Sequence, residues 1–341
     1  MHIARKVKSK TIFRAALSLL LALSLTACSA PGAVFSPNAP QRVSRSALLL
    51  DTVVTITLYG DSDETLIDRC FDLCRDYEAV FSRTDEGSEL YALNQTGSLE
   101  ASPALLELTE KALYYCRLSG GAFDITMGAV SEMYAFTSDA PRAPSRAELD
   151  EALRHVGYQG VEVDGKTITL ADPQAVVDLG AIAKGYIADR LGEFLLENGQ
   201  ESALINLGGN VLCVGSKPDG SDFIVGLQYP FEETSKTIAE IRVSGCSVVT
   251  SGVYERFFEQ DGVFYHHILD PQTGLPYDNG LLAVSIVSPC SVDGDALSTV
   301  CFALGLEKGL ELINSMENVC AVFVTDDFEL HYSEGFEALL A

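Results

Sequence analysis

The chain has 341 residues, of which 48 are acidic and 23 are Lys or Arg, so its formal net charge is −25. A surface this acidic repels the phosphates of nucleic acids and the headgroups of anionic lipids, which argues against either as a partner held by charge. The length suffices for one large domain or two fused lobes with a sizeable core.

The first 27 residues have the organisation of a secretory signal. Five basic residues, ending at Arg14, precede an uninterrupted stretch of apolar or small residues from 15 to 25. This stretch is too short for a permanent membrane-spanning helix. The sequence then runs Leu25-Thr26-Ala27-Cys28, which resembles the bacterial lipobox and predicts that Cys28 becomes the lipidated first residue of the mature protein. The alternative is an incidental thiol near an ordinary cleavage site.

A lipidated Cys28 predicts a protein anchored on the extracytoplasmic face of the cell membrane, because each buried CH₂ of a lipid chain contributes about 0.8 kcal/mol. Cleavage before Cys28 leaves 18 basic against 48 acidic residues, a net charge of −30. Residues 28–45 are rich in Pro, Ser and Ala and show no apolar period, so we predict a flexible tether there. Residues 46–341 then form the functional domain.

Eight cysteines follow Cys28, and their spacing matches no zinc or haem signature. Most of them stand in apolar stretches, which favours small buried hydrophobic residues. An extracytoplasmic location would nevertheless permit disulfides. Cys70 and Cys74 lie one helical turn apart, and a disulfide within a helix would be strained.

The hydrophobic periods predict an α+β fold with largely antiparallel sheet, because strands follow one another and helices come in pairs. Helical spacing occurs at residues 65–81, 104–118, 181–198, 291–304 and 307–315. Strand patterns occur at residues 48–59, 203–206, 223–227, 238–243, 248–251, 263–268, 282–287, 319–325 and 328–332.

The segment Asp178-Leu-Gly-Ala-Ile-Ala-Lys184 leads into a predicted helix. Gly180 allows the backbone to approach a ligand, and Lys184 supplies a point charge suited to phosphate. The N–H groups at the start of the helix also favour anions. The alternative is an ordinary loop–helix junction with a surface Lys.

Two histidines, His266 and His267, stand at the end of a predicted strand, followed by a turn containing Pro271 and Gly274. A His accepts a proton from a hydroxyl near neutral pH, so this segment is a candidate for a general base. The alternative is that one His packs in the core while Asp270 caps the turn.

Asp295 opens an apolar run within the helix predicted at residues 291–304, and Thr299 follows one turn later on the same face. A carboxylate and a hydroxyl are hard oxygen ligands of the kind that Mg²⁺ accepts. The alternative is an N-terminal cap followed by a buried Thr. The Gly-rich stretch from Asn206 to Asn210 lacks the GxGxxG spacing and precedes a strand, so it is no dinucleotide fingerprint.

The joint order of these segments closely resembles the ApbE family of FAD:protein FMN transferases, from about Leu48 to the C-terminus. The segments that carry the resemblance are Ser88-Glu-Leu with Asn94, Gly121-Ala-Phe-Asp124, Asp178 to Gly185, Asn206 to Asn210, Thr250-Ser-Gly252, His266 to Gly274, and Asp295 to Thr299.

The resemblance implies an α+β fold of two related T-fold-like halves and an enzyme that uses Mg²⁺ to cleave FAD. The expected reaction moves FMN onto a Thr or Ser hydroxyl of a secreted or membrane flavoprotein and releases AMP. It implies three metal ligands, namely Asp295, Thr299 and the backbone carbonyl of Ala181, and it makes His267 the candidate base. The FAD-binding residues that it implies are Ala122, Phe123, Asp124, Asp178, Lys184 and Ile268.

The sequence departs from the family pattern at two places. Leu50-Asp51-Thr52 stands where the family usually has Met-Gly-Thr, and Thr84 stands where transferases often have Tyr. The second position lies beside FAD in the family, so hydrolysis of FAD to FMN and AMP is an alternative activity. A flavin-binding lipoprotein without catalysis is a further alternative, since solute-binding proteins share the lipobox and tether.

Overall fold

The computed structural model describes residues 41–233 and 235–341. The strands are β1 (Arg42–Leu49), β2 (Thr52–Tyr59), β3 (Ser98–Glu100), β4 (Val161–Asp164), β5 (Thr167–Leu170), β6 (Ala203–Leu207), β7 (Asn210–Val214), β8 (Phe223–Gln228), β9 (Thr237–Val243), β10 (Ser247–Gly252), β11 (Phe257–Gln260), β12 (Val263–His266), β13 (Leu281–Ser288), β14 (Cys320–Thr325) and β15 (Leu330–Tyr332). The α-helices are α1 (Thr65–Phe81), α2 (Glu89–Thr96), α3 (Pro103–Leu118), α4 (Gly128–Tyr134), α5 (Arg146–Ala152), α6 (Ala183–Glu197) and α7 (Ser291–Asn314). Short 3₁₀ turns occur at Leu153–His155, Tyr158–Gly160 and Phe336–Leu339.

Within these residues the main sheet has eight strands in the order β1-β2-β6-β7-β10-β13-β14-β15, and every neighbouring pair is antiparallel. The first four strands form one unit, in which α1 and α6 lie in the chain between β2 and β6. The last four form a second unit, in which α7 lies between β13 and β14. This repeat of strand pair, helices and strand pair confirms the predicted α+β fold and agrees with two related halves.

Apolar residues cover both faces of the main sheet. On one face, β2 presents Val54, Ile56 and Leu58 to a large core that includes residues of α1, α6 and α7. On the other face, the β8–β9 pair and the C-terminal 3₁₀ turn cover β7, β10, β13 and β14. The central strand β13 is buried along its whole length, as expected for a strand covered on both faces.

The stretch predicted as one strand at residues 48–59 contains the last two residues of β1, a turn and the whole of β2. Leu50 and Asp51 both have positive φ, 55° and 54°, so the chain reverses there and β1 pairs with β2 along eight residues. Neither residue is a Gly, and the alternating pattern hid the turn. Because β1 begins at Arg42, the tether predicted through residue 45 gives way to strand earlier than expected.

Helix α7 joins the two helices predicted at residues 291–304 and 307–315. Gly305 has a φ of 78°, which is outside the helical region and marks a kink between the two parts. The predicted interruption is therefore present, but as a kink within one helix rather than as a loop between two helices.

The predicted signal segment, lipobox and most of the tether lie outside the described residues. Among the helices that are described, none combines the length and the apolar character needed to cross a bilayer.

The eight cysteines within the described residues are all free thiols. Cys70 and Cys74 are fully buried on α1, and burial raises the pKa of each to about 12. Five of the eight are buried, as the sequence predicted for small hydrophobic residues, whereas Cys290 is exposed.

Candidate active site

The N-terminal ends of α6 and α7 meet at a close backbone contact. A Cβ placed on Gly185 of α6 would lie 2.3 Å from the carbonyl oxygen of Ser291, so only Gly fits there. Asp189 of α6 accepts hydrogen bonds from the N–H groups of Ser291 and Val292, at 2.7 and 2.8 Å. Burial raises the pKa of Asp189 to about 6, although these two bonds oppose the rise.

Asp295 of α7 binds a backbone N–H of α6, just as Asp189 of α6 binds N–H groups of α7. Its Oδ2 accepts a hydrogen bond from the Gly185 N–H at 2.8 Å, and the residue is only 5% exposed. Gly185 lies in the first turn of α6, where backbone N–H groups have no acceptor within the helix, so Asp295 caps the helix from outside. The Ala181 carbonyl and the Asp295 Oδ1 accept no hydrogen bond in the described part of the chain.

Thr299 follows Asp295 by one turn of α7 and so lies on the same face of the helix. Its hydroxyl is 3.1 Å from the hydroxyl of Ser251, the next-to-last residue of β10, which also contacts Ser298 at 2.7 Å. The crossing of α6 and α7 therefore places Asp295 beside the first turn of α6 and fixes Thr299 against β10. The three predicted metal ligands are hard oxygen donors, which is the chemistry that Mg²⁺ requires.

Within the described ranges, no group of three or more His, Cys, Asp or Glu side chains could hold a metal ion. A cation at this place would therefore depend on one carboxylate, a hydroxyl and a backbone carbonyl. Mg²⁺ keeps several waters and takes oxygens from a bound phosphate, so one carboxylate is compatible with it.

The loop before α6 is shaped by Asp178. Its Oδ1 accepts the Gly180 N–H at 2.8 Å, and its Oδ2 accepts from Arg83 Nε at 3.2 Å and from the Ser131 hydroxyl at 3.4 Å. Asn94 exchanges two hydrogen bonds with the backbone of Val177, at 2.9 and 2.8 Å. Asp178 therefore uses both oxygens within the protein.

Lys184 stands in the first turn of α6, where its Nζ donates to the Gly180 carbonyl at 3.3 Å. The carbonyl is uncharged, and no carboxylate of the described residues forms a salt bridge with this amine. The helix N-terminus adds partial positive charge from its free N–H groups. This region is suited to an anion despite the acidity of the whole chain.

The segment of Ala122, Phe123 and Asp124 follows α3 and is held by its own contacts. Phe123 is 5% exposed, and the Asp124 carboxylate accepts from Thr126 at 2.6 and 2.8 Å and from the Tyr158 N–H at 3.0 Å. These contacts within the protein hold the segment in place.

Tyr277 connects this segment to the histidine segment. Its hydroxyl donates to the Ala122 carbonyl at 2.9 Å, and its N–H donates to the Ile268 carbonyl at 3.1 Å. Two predicted FAD-binding residues, Ala122 and Ile268, are thereby brought together.

The two histidines have different environments. His266 is 4% exposed, its Nε2–H donates to the Tyr277 carbonyl at 3.0 Å, and its Nδ1 accepts the Ile268 N–H at 3.3 Å. Burial lowers its pKa to about 4, so His266 is a neutral structural residue.

His267 is half-buried, and its Nδ1 lies 3.3 Å from the carbonyl oxygen of Arg256. A carbonyl can only accept, so Nδ1 carries the proton and Nε2 holds a free lone pair. Desolvation lowers the pKa of His267 well below its usual range, and the charges of Arg256 and Lys184 lower it further. His267 is therefore a neutral imidazole with an open proton-accepting nitrogen.

The sequence analysis did not single out Glu255 or Arg83. Desolvation by the surrounding protein raises the pKa of Glu255 to about 7, although part of the side chain reaches solvent. The charge of Lys184 opposes this rise, and the charge of Asp295 adds to it. The position of Glu255 just after Thr250-Ser-Gly252 is the sequence signal that could have indicated it. Arg83 is next to Thr84 and joins Asp178 to Glu132, a contact across the chain that no local pattern reveals.

Comparison with known proteins gives a consistent result. The ApbE family model matches residues 50–324. An FAD:protein FMN transferase from Treponema pallidum is 37% identical over 314 residues, which cover 86% of this chain and 87% of the relative. Another from Klebsiella pneumoniae is 36% identical over 292 residues, covering 84% and 90% of the two chains.

A solved structure of the ApbE protein from Thermotoga maritima is also similar. It superposes with a TM-score of 0.82 at 31% identity and covers 88% of this chain and 100% of that one. The residues that the family model matches include α6, α7 and the histidine segment. The chain belongs to the ApbE family.

Proposed function

We propose that this protein is an FAD:protein FMN transferase that uses Mg²⁺ and attaches FMN to a Thr or Ser hydroxyl of a partner flavoprotein, releasing AMP. The observation that carries the proposal is the crossing of α6 and α7. Among the described residues, the Asp295 Oδ1 and the Ala181 carbonyl accept no hydrogen bond at this crossing, and they lie beside the first turn of α6, which also bears Lys184. Relatives 36–37% identical are named for this activity.

Asp295, Thr299 and the Ala181 carbonyl would hold the Mg²⁺, whose charge would neutralise the diphosphate of FAD. Lys184 and the N–H groups of α6 bind the phosphate oxygens. Phe123, Asp124, Asp178 and Ile268 shape the rest of the FAD site. Phosphoryl transfer asks mainly for positioning and charge neutralisation, and these residues supply both.

His267 acts on the acceptor hydroxyl. The hydroxyl oxygen attacks the phosphorus of the FMN half, and its proton passes to the free Nε2 of His267. The bond between that phosphorus and the bridging oxygen breaks, and AMP leaves with the oxygen. The Arg256 carbonyl stabilises the protonated ring, because it accepts from Nδ1–H throughout.

The hydrolase alternative rests on Thr84. This residue lies in the turn after α1, next to the Arg83 that contacts Asp178. A small side chain here leaves more room for water beside the flavin than a Tyr would. Water would then replace the acceptor hydroxyl in the same chemistry.

For location, we propose that Cys28 is lipidated and holds the protein on the extracytoplasmic face of the membrane. The basic and apolar segments before Cys28 support this proposal. Changing Cys28 to Ser should move the protein from the membrane fraction to the soluble fraction, and a protein that stays in the membrane fraction would contradict lipid anchoring.

The function is tested by incubating the mature protein with FAD, Mg²⁺ and a secreted flavoprotein that carries an acceptor Thr. Intact-mass spectrometry should show the acceptor gaining one FMN, with an equal amount of AMP released. Free FMN and AMP without a modified acceptor would establish the hydrolase instead. FAD binding that survives metal chelation, with no turnover, would indicate a flavin-binding lipoprotein.

A further inference from the structure

Arg256 lies directly opposite His267 in the β11–β12 hairpin. The pairing of Phe257 with His266 continues by one residue, since the His267 N–H donates to the Arg256 carbonyl at 3.2 Å. Directly opposed residues of an antiparallel pair project their side chains to the same face. The guanidinium of Arg256 is therefore the cross-strand neighbour of the His267 imidazole.

The packing of the hairpin leaves this pair at an open end. Two residues further along, Phe258 and Tyr265 stack on the same face with ring centroids 5.2 Å apart. Phe136 covers them, with its ring 5.6 Å from that of Phe258 and 6.5 Å from that of His267. This aromatic cluster fixes the hairpin, while Arg256 itself is exposed to solvent.

The guanidinium of Arg256 makes no hydrogen bond or ion pair with the described residues. Other arginines are paired, for example Arg142 with Glu148 and Arg146 with Asp150, each at 2.8 Å. Glu255 is close enough to Arg256 for their charges to interact, but it does not form a salt bridge with it. An unpaired guanidinium in a chain with 48 acidic residues is a candidate anion-binding group.

The charge of Lys184 also lowers the pKa of His267, so cations from two different elements influence this ring. Lys184 comes from the first turn of α6, and Arg256 comes from the hairpin. A hydroxyl that attacks an anionic phosphate group needs a base for its proton and cations for the phosphate charge. The neutral imidazole and the two nearby cations supply these groups.

We propose that Arg256 is a catalytic residue that binds the non-bridging oxygens of the phosphoryl group during its transfer from FAD to the acceptor. The proposal rests on the proposed function and adds to it a second cation, besides Lys184. The guanidinium is a planar fork that can contact two phosphate oxygens at once. In the transition state the charge is spread over these oxygens as the phosphorus becomes planar, so a guanidinium positioned for that geometry binds the transition state more strongly than bound FAD.

The test compares Arg256→Ala and Arg256→Lys with the wild-type enzyme and with a control, Arg154→Ala. Arg154 is exposed, and its one ion pair within the described residues is with Glu151, three positions earlier on the surface. Arg256→Ala should lower kcat for FMN transfer on the order of 100-fold or more. Its Kd for FAD, measured by fluorescence titration without acceptor, should change by less than about threefold, since a contact made mainly in the transition state contributes little to ground-state binding.

Rescue separates this role from a structural one. Guanidinium ions at concentrations too low to unfold the protein should restore part of kcat to Arg256→Ala and should not affect the wild type. Arg256→Lys should fall between the two, because Lys keeps the charge but loses the fork. Wild-type kcat in Arg256→Ala, a loss confined to FAD affinity, or a loss that guanidinium does not rescue would each overturn the proposal. A wild-type enzyme that does not transfer FMN would instead overturn the proposed function.

Discussion

At the scale of single residues, the two oxygens of Asp295 have separate roles. Oδ2 is fixed by the Gly185 N–H, whereas Oδ1 has no partner among the described residues, although the side chain is almost fully buried. A carboxylate oxygen that the protein leaves without a donor can bind a cation, and Mg²⁺ prefers such hard oxygen ligands. The first oxygen orients the carboxylate and leaves the second available for the metal.

We expect Asp295→Asn to lower Mg²⁺-dependent transfer by about 10²- to 10³-fold, because a neutral amide binds the cation weakly. The fold should persist, since the amide oxygen can still accept the Gly185 N–H. Steady-state transfer assays and circular dichroism measure the two properties.

Asp293→Asn is the matched control on the same helix. Asp293 contacts the Tyr115 hydroxyl at 2.6 Å and Lys111 at 2.7 Å, away from the proposed metal ligands. We expect this variant to retain activity and to lose about 1 kcal/mol of unfolding free energy. Wild-type activity in Asp295→Asn would remove Asp295 from the metal site.

His267 provides a second test at the residue scale. We expect His267→Gln to slow transfer by about 10²- to 10⁴-fold with little change in FAD affinity. His266 is a structural residue, so His266→Gln should reduce thermal stability first. Equal losses of transfer rate and FAD affinity in His267→Gln would indicate a binding role only.

The pH dependence of transfer follows from the lowered pKa of His267. A His with a lowered pKa stays neutral, and so able to accept a proton, until the pH falls below the usual value of 6.5. The acid limb of kcat should therefore have its midpoint below pH 6.5. The measurement is best made in a Glu255→Gln background, where the carboxyl with a pKa of about 7 cannot contribute. A midpoint at or above 6.5 would contradict the assignment.

At the scale of elements, the site depends on how closely α6 and α7 approach. Each helix supplies a carboxylate that binds the N-terminal N–H groups of the other. Asp189 of α6 binds α7, and Asp295 of α7 binds α6. Anionic side chains at helix N-termini are favourable, so these contacts stabilise the crossing as well as positioning Asp295. A change that separates the helices should damage stability and metal binding together.

Gly185→Ala tests this coupling. Its Cβ would lie 2.3 Å from a backbone oxygen of α7, which cannot rotate away. We expect the unfolding free energy to fall by about 1–3 kcal/mol or more, as in other overpacked sites, with loss of Mg²⁺-dependent activity. Chemical denaturation and transfer assays measure the two effects.

Gly192→Ala on the same helix is the control. Its Cβ would meet the Leu212 side chain at 2.8 Å, and a Leu side chain can shift. We expect a smaller loss of stability and near-normal transfer. If both variants behave alike, the α6–α7 contact is not what limits the site.

The sequence could predict contacts within one helix of the site but not contacts between distant parts of the chain. Helical period places Asp295 and Thr299 on one face, so their proximity followed from spacing alone. The contact of Asp295 with Gly185 joins positions 110 residues apart, and no local pattern contains it. The occupied carboxylate of Asp178 was hidden for the same reason, because its partner Arg83 lies 95 residues away.

The fold shows a similar limit. Apolar periods predicted the long helices α1, α3, α6 and α7 and the antiparallel class, but they missed the short helices α2, α4 and α5. Gly305 stands between the two helices predicted for α7. The β1–β2 turn was missed because Leu50 and Asp51 take positive φ without the Gly that usually signals it. Tertiary pairing, with β2 between β1 and β6, stabilises the turn instead.

At the scale of the whole molecule, the site lies between the two halves. α6 belongs to the first half and α7 to the second, and the sheet is continuous between them where β7 pairs with β10. Lys184 and the Ala181 carbonyl come from one half, whereas Asp295, Thr299 and His267 come from the other. A ligand that contacts both sets would stabilise the assembled protein as a unit.

Thermal unfolding of the mature protein tests this expectation. A ligand at about 100 times its Kd stabilises the folded state by about 2.7 kcal/mol, which raises Tm by several degrees in a chain of this size. We expect FAD with Mg²⁺ to give this rise and FAD with EDTA to give much less, because the uncompensated diphosphate meets a chain of high negative charge. Asp295→Asn should lose the Mg²⁺-dependent part. An equal rise with EDTA would show that FAD binds without the cation, and the metal ligands assigned here would be wrong.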